Sequence, residues 1–242
     1  MDAPGRFLTA EWRWLLMASW PVDPALLAPR LPAGTTLDLH EGRALATVVA
    51  FRFLRTRVLG VPVPGHVDFD EVNLRFYVRH VTPSGEVRRA ATFWRELVPR
   101  RAIAWLARLA YAEPYDAVPM WSRIPDAPFE AATSLAFGWR AHGRDHRLAA
   151  TMHGPAALPP AGSEEAFVAE HYWGYTPQRD GGTVEYRVRH APWRVRAATL
   201  DAFDVDVAAL YGPGFAGALA APPSSVFVAE GSPVQVDRPR RL

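Results

Sequence analysis

Residues 71–81, EVNLRFYVRHV, alternate more sharply than the other strand-like stretches of the chain, and this pattern narrows the choice of fold. Val72, Leu74, Phe76 and Val78 fall on one side of an extended strand, and Glu71, Asn73, Arg75, Tyr77 and Arg79 fall on the other. On an open sheet the polar set faces water. In a closed barrel the same alternation gives a polar lumen inside an apolar wall covered by helices. A turn at Pro83-Ser84-Gly85 leads into 86–98 and makes a hairpin. Residues 43–58 place Leu45, Thr47, Val49, Phe51 and Phe53 on one face, and further strands read at 133–140, 146–153, 183–190, 193–200 and 224–229. Helices are few. Asp23-Pro24 opens a short one through Leu31. Residues 100–112 form another, ended by Glu113-Pro114. Ser163-Glu164-Glu165 caps a third to about Glu170, and 204–211 is a fourth, stopped by Gly212-Pro213. The expected class is mainly β (a β-rich α+β chain with peripheral helices), in one domain over 1–242.

Composition removes several chemistries. The chain has 242 residues and no lysine; all 27 basic side chains are arginines. Imine formation with a carbonyl needs a primary amine, and arginine stays protonated in proteins. The abundance of Ala, Arg, Pro and Gly points to GC-rich coding, which replaces most of the lysines without any functional demand. Cysteine is absent too, which excludes thiolate catalysis, disulfides and Cys-based zinc sites. A net charge of +2 is too weak a field to imply nucleic acid. No apolar run approaches a membrane span and no secretory signal is visible, so no membrane partner and a cytoplasmic location are expected. The Gly clusters do not match a phosphate loop and no serine sits in GxSxG; no cofactor is expected. His142 and His146 flank Asp145 in a segment that reads as a surface turn, so no metal site is expected.

The constellation that can carry chemistry is Glu71, Arg75, Glu96, Arg100 and Arg101. Glu96 lies on a strand running to Pro99, where Arg100-Arg101 begins the 100–112 helix. The positive end of a helix dipole is an unfavourable place for two cations, so they call for an anionic partner: Glu96, Glu71 or a bound carboxylate. His190 shares a strand face with Val184, Tyr186 and Val188, which favours a buried structural histidine over a general acid or base. Tyr172, Trp173 and Tyr175 suit either a cavity mouth or packing of a helix end, Trp193 suits the core, and His66 suits a turn or a pocket rim.

The segments FLTAEWRWLLMASWPVDPALLAPRLPAGTTLDLHEGRALATVVAFRF, DEVNLRFYV, ELVPRRAIAWLARLAYAEPY, HYWGYT and HAPW resemble the YqjF-like family, a bacterial domain of unknown function, over about 6–237. That family is similar to the acetoacetate decarboxylase-like superfamily. The resemblance implies a mainly antiparallel β-barrel or cone with a polar pocket and a few peripheral helices. The decarboxylase pocket contains a Glu on an early strand. It also contains a Pro-Lys-Lys shortly after an Arg-Glu-Leu, and the first lysine forms the imine. Arg95-Glu96-Leu97 stands in the place of Arg-Glu-Leu here, Pro99-Arg100-Arg101 is the nearest counterpart of Pro-Lys-Lys at a spacing two residues shorter, and Glu71 is the candidate early acid. The resemblance implies that the charge is kept and the nucleophile lost, so Schiff-base decarboxylation is chemically closed to this chain.

The expected function is binding of a small anionic organic ligand of keto-acid or hydroxy-acid type. Arg75, Arg100 and Arg101 would clamp its carboxylate, His190 and Tyr172 would contact it, and Glu71 and Glu96 would serve as acid and base. One alternative is a non-imine lyase working by enolisation or dehydration. Another is a partner-binding module without catalysis. The resemblance also allows a homo-oligomer.

Overall fold

The computed structural model describes residues 5–99 and 114–242. In chain order the elements begin with β1 (Arg6–Val22), the one-turn helix α1 (Pro24–Leu27), β2 (Thr36–Leu37), β3 (Ala44–Val58), β4 (Val61–Pro62), β5 (Phe69–Val81) and β6 (Val87–Val98). Next come β7 (Tyr115–Ala117), β8 (Met120–Arg123), β9 (Ser134–Ala141), β10 (Arg144–Met152), α2 (Glu164–Ala169), β11 (Trp173–Pro177) and β12 (Thr183–His190). The chain ends with β13 (Val195–Asp204), α3 (Val207–Tyr211), α4 (Pro213–Ala220), β14 (Ser225–Asp237) and β15 (Arg240–Arg241).

Hydrogen bonding runs β12-β11-β6-β5-β3-β1-β14, and β14 pairs back onto β12 through Val234–Val236, so these strands close into a barrel. Most pairings are antiparallel; β11 and β7 each join β6 in parallel. The other half of β14 pairs with β13, and the sheet continues through β10, β9 and β8. That extension folds over the outer barrel wall. Val72, Leu74, Phe76 and Val78 of β5 share one apolar core with Phe137, Trp139 and Leu148 of the extension and with Leu210 and Phe215 of the helices. A second core fills part of the barrel interior, with Met17, Leu45, Val49, Phe51, Phe53, Tyr77 and Trp193 among its members. Strand β3 is therefore buried on both faces, because Ala46, Val48 and Ala50 pack outward while Val49, Phe51 and Phe53 pack inward. The alternation of 71–81 likewise resolves in favour of the closed barrel: Glu71, Asn73 and Arg75 are all buried.

Caps form where the sequence places them. Asp23 accepts from the Ala25 N–H, and Ser163 accepts from the Ala166 N–H. Beyond Gly212-Pro213, a second helix, α4, follows directly with Pro213 in its first turn, where proline's fixed φ suits helix initiation. The 100–112 helix, with Arg100 and Arg101, lies outside the described residues. Strand β1 has no counterpart in the sequence reading, since its run LLMASW is continuous rather than alternating, as expected for a strand buried on both sides. The surface-turn reading fails for His146. It is 1% exposed, stacks on Trp139, points Nε2 at the Ala141 carbonyl and accepts from the Asp206 N–H at Nδ1. No helix among the described residues is long and apolar enough to cross a membrane.

Three irregularities curl the barrel and decide which side chains face inward. In β1 the register against β3 shifts between Arg13 and Leu16, around Trp14 at φ 58°. A second shift, between Thr9 and Glu11, lies opposite Arg55, which has φ 54°. In β6 the register slips at Trp94: Leu74 faces Arg95 while Arg75 faces Phe93. A bulge inserts one residue and reverses the alternation beyond it. Phe93 and Glu96, three residues apart, therefore both line the interior, while Trp94 packs outward on Phe215 and donates to the Tyr211 carbonyl. Gly231 allows the β1–β14 pair to close: at φ 83°, a Cβ there would lie 1.9 Å from the Trp12 carbonyl oxygen.

Candidate functional site

The barrel encloses a cavity of about 310 Å³. Its polar wall is carried by three adjacent strands, in register. Asn73 of β5 faces Glu96 of β6, and Glu96 in turn faces Tyr115 of β7. Glu71, Asn73, Arg75, Glu96, Tyr115 and His171 all line the cavity. The sequence candidates Glu71, Arg75 and Glu96 are thus brought together on one wall.

Glu71 is 2% exposed. Its Oε1 accepts from Asn73 Nδ2 at 2.9 Å and its Oε2 from the Tyr115 hydroxyl at 3.1 Å. Burial pushes its carboxyl up to about 7; the two hydrogen bonds and the Arg75 charge oppose that shift without cancelling it. Arg75 is 9% exposed and donates from Nε to the Tyr77 hydroxyl at 3.3 Å and from Nη2 to the Val168 carbonyl at 3.1 Å. Its guanidinium also lies against Met17 Sδ. Among the described residues it has no ion pair with a carboxylate, and Nη1 has no protein acceptor, so a buried cation stands at the cavity wall with donor capacity in reserve.

Behind Arg75 lies a supporting network. His171 stacks on Tyr77 at 4.4 Å, and its Nε2 faces Asp38 Oδ2 at 3.3 Å. Asp38 also accepts from Arg89 at 2.6 Å. Burial works against the Asp38 charge, but the bonds from His171 and Arg89 outweigh it and hold the carboxyl below its ordinary value. Burial takes His171 down to about 4, so the ring is neutral with the proton on Nε2. The pairing joins residues far apart in sequence, and the aromatic run HYWGYT is the one sequence signal near it.

The far end of the cavity is apolar. Phe51, Phe53, Phe69, Phe93, Trp12 and Trp173 line it, and half-buried Val58 and His66 with exposed Val63 form the rim. Phe53 stacks on Phe69 at 4.6 Å, and Trp12 meets Phe51 and Phe53 edge-on. Gly174 also lines this wall. A Cβ on it would lie 2.1 Å from the Tyr186 ring, so only glycine lets that ring lie across the strand. His190 and Tyr172 are not among the cavity-lining residues. Their rings lie tilted against each other at 4.7 Å, and His190 stacks on Trp193 at 4.1 Å with Nδ1–H donated to the Ala191 carbonyl. Tyr172 is hydrogen-bonded to Glu170. The half-buried position of His190 falls short of the fully buried one its strand face suggests. Arg100 and Arg101 lie outside the described residues. Among those residues no group of three metal-ligating side chains occurs.

Comparison with known proteins places this barrel. An acetoacetate decarboxylase-like enzyme from Sphingomonas wittichii RW1 superposes with a TM-score of 0.67 at 17% identity, covering 98% of this chain and 94% of that one. The enduracididine biosynthesis enzyme MppR, with HEPES buffer bound, gives 0.67 at 16% identity, covering 100% of this chain and 89% of its own. Acetoacetate decarboxylase from Legionella pneumophila gives 0.62 at 14% identity, covering 100% and 88%. These likenesses establish the acetoacetate decarboxylase-like fold. No curated protein matches the chain. The match that extends over residues 9–233, nearly the whole barrel and its extension, shows that the chain belongs to the DUF2071 family, described as an uncharacterized conserved protein (COG2071).

Proposed function

We propose that the cavity binds a small organic acid of the keto-acid or hydroxy-acid type, with its carboxylate on Arg75. What carries this reading is the Arg75 guanidinium itself, nine-tenths buried, lining the cavity and without an ion-paired carboxylate among the described residues. A buried charge is costly unless something pairs with it, and a planar carboxylate matches the guanidinium fork. Glu71 does not cancel that charge near neutrality, because burial keeps it largely protonated below pH 7. A protonated carboxyl donates a hydrogen bond to the carbonyl or hydroxyl oxygen of the ligand, and Glu96 stands beside it on β6 as a second acid/base candidate. Similarity to MppR and to acetoacetate decarboxylase supports a ligand with a carboxylate, while the absence of lysine excludes a lysine imine.

Thermal unfolding with a panel of short 2-oxo and 2-hydroxy acids tests this. At a ligand concentration of a hundred times Kd, mass action raises the midpoint by roughly 5–10 °C for a chain of this size. The corresponding amides give no shift, and Arg75→Met abolishes the effect of the acids. If none of the acids stabilises the protein, the proposal fails.

A second reading, enolisation, is favoured by the Glu71 carboxyl, pushed to about 7 and so able to take or give a proton near neutral pH. Glu71 takes a proton from the carbon beside the ligand carbonyl. The C–H electron pair becomes the C=C bond as the carbonyl π pair moves onto oxygen, and the Arg75 charge stabilises the enolate. In D2O the return step delivers deuterium. NMR of a bound-and-released 2-oxo acid then shows exchange at C3 that is lost in Glu71→Gln while the acid still binds. Wild-type exchange no faster than buffer removes this reading.

A further inference from the structure

We infer that the acid this cavity takes carries an unbranched apolar tail, about eight carbons in all. The inference deepens the acid-binding reading and rests on it. Volume gives the first argument. A cavity of about 310 Å³ corresponds to about ten water molecules at roughly 30 Å³ each. A three-carbon acid such as pyruvate has six non-hydrogen atoms and leaves close to half of that space unfilled; a straight-chain eight-carbon 2-oxo acid has eleven.

Polarity gives the second argument. Along β5 the inward row runs Arg75, Asn73, Glu71, Phe69, and on β3 the facing row runs Thr47, Val49, Phe51, Phe53. Beyond Glu71, toward the rim, the walls change from hydrogen-bonding groups to Phe53, Phe69, Phe93 and Trp12. Successive inward residues on a strand lie roughly 7 Å apart. The step from the Glu71 row to the Phe69 row is therefore about the length of a short alkyl segment. A ligand whose carboxylate sits at Arg75 runs past Asn73 and Glu71 and points its remaining carbons toward these rings and the rim at Val58, Val63 and His66. Apart from the Trp12 indole N–H and the Thr56 hydroxyl, the walls there offer water few hydrogen-bond partners, so an alkyl chain replaces it at small cost.

Titration calorimetry with straight-chain 2-oxo acids of three to ten carbons provides the test. Kd falls by roughly threefold for each added methylene, up to about eight carbons, and then levels off. The heat-capacity change of binding grows more negative over the same range. Val58→Trp, at the half-buried rim, moves the plateau to shorter acids. Arg75-dependent binding of the three-carbon acid with no gain on lengthening overturns this inference and leaves the acid-binding reading standing. Failure of every acid to bind overturns both. So does equal binding of the eight-carbon amide that is indifferent to Arg75→Met.

Discussion

Glu71 and Glu185 are equally buried, each 2% exposed, yet their surroundings give them opposite roles. Glu185 accepts from Arg88 Nη1 at 3.1 and 3.2 Å, from Arg240, and from the Tyr175 hydroxyl at 3.0 Å. Arg88 in turn lies 4.2 Å over the Trp173 ring, so the ion pairs brace the barrel wall. Glu71 accepts from two neutral groups, Asn73 and Tyr115, and it lines a cavity. One carboxylate is matched by cations and holds strands together. The other has no ion pair among the described residues, and burial raises its proton affinity more than the nearby Arg75 charge lowers it. Burial alone does not mark a functional acid; burial without a matching charge does.

Removing the two charges separates the roles. Glu185→Gln leaves the buried side of Arg88 without its partner and costs about 3 kcal/mol of stability. Glu71→Gln keeps an oxygen for Asn73 and removes a carboxyl whose ionisation the fold disfavours, so at pH 7.5 it is about 2–3 kcal/mol more stable than the wild type. Urea unfolding at pH 7.5 compares them. If Glu71→Gln is the costlier of the two, the contrast between a bracing and a chemical carboxylate collapses.

The outer half of this contrast is hidden in the sequence, and the inner half is largely readable. Strict alternation over 71–81 places Glu71, Asn73 and Arg75 on one face, and closure of the barrel turns that face inward. Glu96 is different. Extending the alternation of Ala91 and Phe93 would put it outside, and only the bulge at Trp94 brings it in. Its candidacy rests on the strand that runs to Pro99-Arg100-Arg101 and on the Arg-Glu-Leu resemblance, and neither of these explains why it faces inward. Trp14 and Arg55 adopt positive φ with no glycine or asparagine to announce it, so the reversals in β1 and β3 leave no local trace. Pairings such as Asp38 with His171, or Arg240 with Glu185, depend on barrel closure and have no periodic signature at all.

The smaller effects are those of pH. The Glu71 carboxyl rises from an ordinary 4.5 to about 7, so the folded chain holds a proton that the unfolded chain has released. The stabilising contribution of this group is complete below pH 4.5 and is lost as pH rises through 7, worth about 2 kcal/mol between pH 5 and 7. His171 has the opposite sign. Lowered from 6.5 to about 4, it contributes above pH 6.5 and loses that contribution as pH falls through 4. The two overlap, so the wild type alone hides both, and the Glu71→Gln difference isolates the first. Unfolding free energies of the two proteins, taken every half unit from pH 4.5 to 8, converge at the acid end, with the wild type losing ground above pH 5. Tyr115→Phe sharpens the point. It removes a donor that favours the charged form, so the midpoint of that window moves up by about half a unit. A flat difference curve would mean that Glu71 is ionised in the folded barrel and balanced by a cation.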